Sequence, residues 1–154
     1  MNCNENNYQL LTSIKAYPPA GISFNEPAAT LNKALCTSDF TPADGDFSSL
    51  TSGYVKVPLK ASTAKLTEKS EVGVGGESFE VTVKWSVKAP TKDDYTRLDE
   101  LKRERKHLIV STYGGLGYLV RSYDYAYLFE YQEDEGDLSC ELTIVNVKGA
   151  QRIL

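Results

Sequence analysis

The sequence predicts a mostly-β domain, an antiparallel β-sandwich or barrel with one flanking α-helix at about residues 91–106. Three observations predict it. Phe79–Lys88 alternates without a break, with Phe79, Val81, Val83, Trp85 and Val87 on one side and Glu80, Thr82, Lys84, Ser86 and Lys88 on the other. That period of two is the mark of a half-buried antiparallel strand. After residue 106, the turn signals Gly114-Gly115 and E-D-E-G-D separate further runs of strand length. A helical start signal stands at Thr91, where T-K-D-D places a carboxylate three residues after a threonine, as in a capping box.

Taken in order, residues 1–50 read as an irregular segment, punctuated by Pro18-Pro19, Pro27, Pro42 and clusters of Ser, Asn, Asp and Gly. Short strands are predicted near Leu10–Ala16 and Gly21–Asn25, and a helical turn over residues 26–35 with Pro27 at its first position. The β-domain proper spans 51–154. It opens with a strand over Tyr54–Leu59, where Pro58 suggests an edge or a bulge. A polar arm or loop follows at 60–78, with too few large apolar residues to anchor itself. Pro90 ends the Phe79–Lys88 strand.

The predicted helix has Asp93 and Asp94 at its start and Lys102, Arg103, Arg105 and Lys106 at its end, the order the helix dipole favours. Tyr95, Leu98 and Leu101 form its narrow apolar contact face. H-L-I-V-S-T-Y and L-G-Y-L-V-R-S then read as a hairpin about Gly114-Gly115. In the last strand, Leu138–Val147, both faces carry β-branched residues, which predicts a central position.

Between these lies Y-D-Y-A-Y-L-F-E-Y, in which Tyr123, Tyr125, Tyr127, Phe129 and Tyr131 share one face of an extended strand. Stacking on single-stranded nucleic acid calls for basic flanks. The flanks here are Asp124, Glu130 and Glu133–Asp137, and the net charge of the chain is −4. A core of tyrosines would have many hydroxyls to satisfy. The five are therefore read as candidate subunit-interface residues, with rings buried and hydroxyls at a wet rim.

The composition predicts one soluble domain, since 41% of residues are hydrophobic and 25% charged, and no apolar run approaches the roughly 20 residues of a membrane span. The polar start M-N-C-N-E-N-N-Y lacks the order of a signal peptide. Cys3, Cys36 and Cys140 are widely spaced and read as free thiols in a reducing compartment. His107 is the one histidine, which excludes a histidine-based metal set, and its expected role is that of a surface or helix-capping residue. The G-V-G-G run at 73–76 matches no phosphate-binding spacing, and Glu133, Asp134, Glu135 and Asp137 lack a calcium-loop spacing. K-R-E-R-K at 102–106 is balanced by nearby acids and reads as a salt-bridged solvent face or a subunit contact. No catalytic, cofactor-binding or metal-binding residues are predicted, and no cofactor.

The order of elements resembles the tail-tube-type proteins of tailed bacteriophages and related injection machines. It is carried by a polar arm, then F-E-V-T-V-K-W-S-V, the capped helix T-K-D-D-Y-T-R-L-D-E-L, and H-L-I-V-S-T-Y-G-G-L-G-Y-L-V-R-S leading into further strands. The resemblance covers about residues 50–150 and implies a virion structural protein without catalysis. Its subunits would close into six-fold rings and stack into a tube through which DNA passes without specific binding. It also implies assembly in the host cytoplasm, a place in the virion tail, and other tail or neck proteins as partners. Ala61–Gly76 takes the place of the arm that reaches a neighbouring ring, which makes Lys65, Leu66, Glu68, Val72 and Val74 candidate inter-ring residues. A tube subunit and a neck, terminator or distal-tail ring remain open. Two alternatives stand beside this. One is a monomeric sandwich that binds a sugar, peptide or small ligand on its tyrosines; the other is an enzyme centred on His107.

Overall fold

The computed structural model describes residues 7–18, 31–32, 37–40, 54–60, 62–73, 76–122, 126–147 and 149–153, which form a mostly-β architecture with one helix. In chain order the elements are β1 (Asn7–Tyr17), β2 (Leu31–Asn32), β3 (Thr37–Phe40), β4 (Val55–Lys56), β5 (Lys65–Gly73) and β6 (Gly76–Val87). They continue with α1 (Lys92–Arg103), β7 (His107–Thr112), β8 (Gly117–Val120), β9 (Ala126–Asp134), β10 (Asp137–Asn146) and β11 (Ala150–Ile153). Hydrogen-bonded neighbours follow the path β2-β3-β11-β8-β7-β1-β5-β6-β10-β9, with β4 beside β1. Every pairing is antiparallel except that of β3 with β11. The path is open, and β9 at its end has β10 as its one strand partner among the described residues.

Strand β1 joins the two halves. Asn7–Leu10 pairs with β5, and Leu11–Tyr17 pairs with β7 after a register shift between Leu11 and Ser13. A bulge of this kind bends a strand and lets it pass from one sheet to the other. The strand expected near Leu10–Ala16 is therefore longer than its apolar pattern, and it ties the N-terminal segment into the β-domain.

Between the sheets lies one core. Leu11, Ile14, Val110 and Tyr118 contribute from one side; Leu66, Val83, Trp85 and Leu142 contribute from the other, with Leu98 and Leu101 from α1. Burying each such side chain is worth roughly 1.5–3 kcal/mol. The inward set of β6 is Phe79, Val81, Val83, Trp85 and Val87, and β10 lies between β6 and β9, as the alternation predicts.

Helix α1 starts where the sequence places it. The Thr91 hydroxyl accepts from Asp94 N–H at 3.2 Å, and Asp94 Oδ2 accepts from Thr91 N–H at 3.0 Å. It ends earlier than expected, at Arg103, because Glu104 is already extended with φ −141°. Arg105 and Lys106 thus lie beyond the helix. Lys106 is no solvent-facing residue, for it is 3% exposed, with Nζ 3.2 Å from Glu100 and 3.5 Å from Glu104. The chain turns from β9 to β10 through Glu135 and Gly136, both at positive φ (52° and 85°), the backbone of a type I′ hairpin turn.

Other expectations change. The strand over Tyr54–Leu59 shrinks to Val55–Lys56 ahead of Pro58. Leu31–Asn32, inside the expected helical turn 26–35, is a strand paired with Ser38–Thr37, because a sheet edge is available to it. The rest of that turn, and the strand expected at Gly21–Asn25, lie outside the described residues. Strands β3 and β11 had no signal. The unanchored arm or loop at 60–78 is for the most part a hairpin of β5 and β6, joined to β1 along Lys65–Glu68. Backbone pairing on both sides supplies the anchor that the side chains lack.

Candidate functional site

The apolar stripe of α1 rests on the aromatic strand. Leu98 and Leu101 are fully buried, and Tyr95 packs its ring 6.2 Å from that of Tyr131, edge to face. Along β9, Phe129 lies parallel to Trp85, with centroids 5.6 Å apart and planes at 8°. The flanking tyrosines turn their hydroxyls toward the helix. Tyr127 donates to the Leu101 carbonyl at 2.8 Å, one of the last-turn carbonyls that a helix cannot satisfy itself. Tyr131 donates to Asp99 Oδ1 at 2.7 Å, while Lys102 Nζ sits 5.8 Å over its ring.

Both phenols are pushed above the ordinary tyrosine range, Tyr127 chiefly by burial and Tyr131 chiefly by its hydrogen bond to Asp99. Of the five candidate interface residues, Tyr127 and Tyr131 are thus tied by their hydroxyls to the chain's own helix and remain half-buried, while Phe129 is buried against Trp85. The hydroxyl problem that argues against a tyrosine core is solved by α1. Tyr123 and Tyr125 lie outside the described residues.

The candidate arm residues separate. Lys65 projects outward and is exposed, whereas Leu66 and Glu68 point inward at 2% exposure each. Val72 lies in β5, and Val74 falls outside the described residues. Glu68 is a structural acceptor, with Oε1 taking the Ala150 N–H at 2.6 Å. That contact requires Gly149, which stands at φ +69° and whose added Cβ would overlap the Glu68 carboxylate. Asn146 closes the same corner, donating to the Arg121 carbonyl at 2.7 Å and accepting from Gly149 N–H at 2.5 Å. At the far end of the hairpin, beyond Phe79 where β10 pairing ends, Glu71, Val72 and Gly73 pair only with Ser78, Glu77 and Gly76 among the described residues.

His107 is neither at the surface nor a helix cap. It is fully buried as the first residue of β7, and Nδ1 accepts from Ser122 N–H at 3.1 Å, which puts the proton of the neutral ring on Nε2. Burial, with Arg121 and Arg105 nearby, pushes its pKa down to about 4. Burial also pushes the Cys140 thiol up to about 12, so it stays protonated within the core; Cys3 and Cys36 lie outside the described residues.

The outer face of the β5-β6-β10-β9 sheet was missed by sequence reasoning. Here an open groove of about 530 Å³ runs over Thr67 and Thr82 between Lys65, Lys69, Lys84 and the acids Glu80 and Glu141. Its composition depends on which residues the register sets side by side, and residue order alone does not reveal that. Among the described residues, no group of three or more His, Cys, Asp or Glu is placed to hold a metal ion. No helix among them is long and apolar enough to cross a membrane. Comparison with protein-family models, curated proteins and solved structures finds no match.

Proposed function

We propose that the chain is a non-catalytic structural subunit that assembles with copies of itself, of the kind that forms the tail tube or a tail or neck ring of a tailed bacteriophage. Strand β9 carries this reading. It is nine residues long and ends the sheet path, with neither proline, lysine nor a bulge along Ala126–Asp134. A long regular edge strand is a template for pairing with another chain, and ring closure between identical subunits satisfies it. The helix supports the same reading, because α1 fixes the inner face of β9 and presents its edge rigidly. The far end of the β5-β6 hairpin, where residues 71–73 pair with 76–78, is the piece suited to reach a neighbouring ring. A net charge of −4 suits a conduit that lets DNA pass without gripping it.

On this reading the partners are further copies and other tail proteins, and the place of action is the virion. A ligand-binding module would have to use the tyrosines other than Tyr127, whose hydroxyl is taken by the Leu101 carbonyl. Light scattering of the purified chain over a range of concentrations, followed by negative-stain imaging, tests the proposal. Rings or tubes support it; a strict monomer at high concentration with no rings overturns it.

A further inference from the structure

The outer face of the β5-β6-β10-β9 sheet sorts its charges. Cross-strand register places Lys65 opposite Lys84, Lys84 opposite Glu141, and Glu141 opposite Glu130. All four are exposed, so across these four strands one row reads Lys-Lys-Glu-Glu, with Leu10 of β1 beside Lys65 in the same sheet. Like charges directly opposite one another destabilise a sheet. These four positions hold two such pairs, Lys65–Lys84 and Glu141–Glu130, where exchanging Lys84 with Glu141 would leave none. A local rule broken twice in one row points to a role outside the fold.

The sorted row is its own complement. A two-fold axis parallel to the strands, between β6 and β10, sets a second copy face to face with the strand order reversed. Lys84 then meets Glu141 of the other copy, and Lys65 meets its Glu130, which gives four ion pairs across the contact. The next row, Thr67-Thr82-Thr143-Leu128, is short and uncharged and lets the faces approach. Leu128, 57% exposed, falls opposite Thr67 of the second copy.

Under that axis β6 and β10 overlap over about nine residues and β5 and β9 over about five, so at ~4.8 Å between strands and ~3.4 Å per residue the faces share roughly 450 Å². That is well under the ~800 Å² per partner of a standard stable interface, so the contact is weak, reversible and sensitive to salt. We propose that this face is a self-complementary docking surface for a second copy of the chain. It is a contact through the sheet face, separate from edge pairing at β9.

Sedimentation velocity of the full chain at low salt, with circular dichroism to confirm folding, tests it. The wild type should dimerise at low salt, and the dimer should weaken at least tenfold in 0.5 M salt (about a 3–4 Å Debye length). K65E/K84E gives an all-acidic row and E130K/E141K an all-basic one, and each should lose the dimer. A one-to-one mixture of the two variants should restore it as a mixed dimer, and the fourfold swap should restore it in a single chain. A wild type that stays monomeric at low salt overturns the proposal. So does either double variant dimerising as the wild type does, or a mixture that remains monomeric.

Discussion

The two faces of the β5-β6-β10-β9 sheet are made by the same alternating strands, yet they meet different things. The inner face holds Val83, Trp85, Phe129 and Leu142 and is closed by α1. The outer face holds lysines, threonines and glutamates and is open to water. Alternation decided which residues go to each side. What made the inner side a core was a second element whose backbone carbonyl and carboxylate take the tyrosine hydroxyls. An aromatic face is therefore no sign of an intermolecular surface by itself. Among the described residues the polar face is the one open to water.

Changes on the inner face should cost most. Phe129→Ala removes the ring stacked on Trp85 and should cost about 3–5 kcal/mol of stability, read by urea unfolding. A loss below about 1 kcal/mol would mean that α1 does not hold this layer closed. Next comes pH, through His107, buried at the start of β7 in the other half of the molecule. Its pKa falls from 6.5 unfolded to about 4 folded, so the unfolded chain binds the proton more readily between those values. Its contribution of about 3 kcal/mol is present above pH 6.5 and lost as the pH falls toward 4. Unfolding measured from pH 7 to pH 4 should show that slope, and His107→Gln should flatten it.

Smaller effects sharpen the contrast. Tyr127→Phe keeps the ring and strands the Leu101 carbonyl, an expected cost of about 1 kcal/mol. Thr91→Ala should cost a similar ~1 kcal/mol by opening the capping box. On the outer face, Lys84→Ala should change the stability of the monomer by less than about 0.5 kcal/mol. If it proved as costly as Tyr127→Phe, the two faces would not differ as described.

The sequence made some of this legible and hid the rest for physical reasons. The inward set of β6, the Thr91–Asp94 cap and the central place of β10 are local signals, written in neighbouring residues. Strand β5 was obscured because its inward positions include Glu68 and Ser70, polar groups whose burial depends on partners far along the chain; Glu68 takes its hydrogen bond from Ala150. The acceptor of the Tyr127 hydroxyl is a main-chain carbonyl, which no pattern of residue types encodes. Charge sorting across Lys65, Lys84, Glu141 and Glu130 appears only once register is known. Strands β2, β3 and β11 are too short for periodicity to mark, and β1 changes sheets partway along a single apolar pattern.

Tyr127, Phe129 and Tyr131 are packed within one chain, and on the proposed reading the edge of β9 that has no strand partner among the described residues serves assembly. Amide hydrogen exchange at low and high protein concentration tests it most directly. The account predicts that α1 is equally protected at both, and that β9 amides gain protection as concentration rises. Protection gained in α1 with concentration, while β9 stays unchanged, would contradict it.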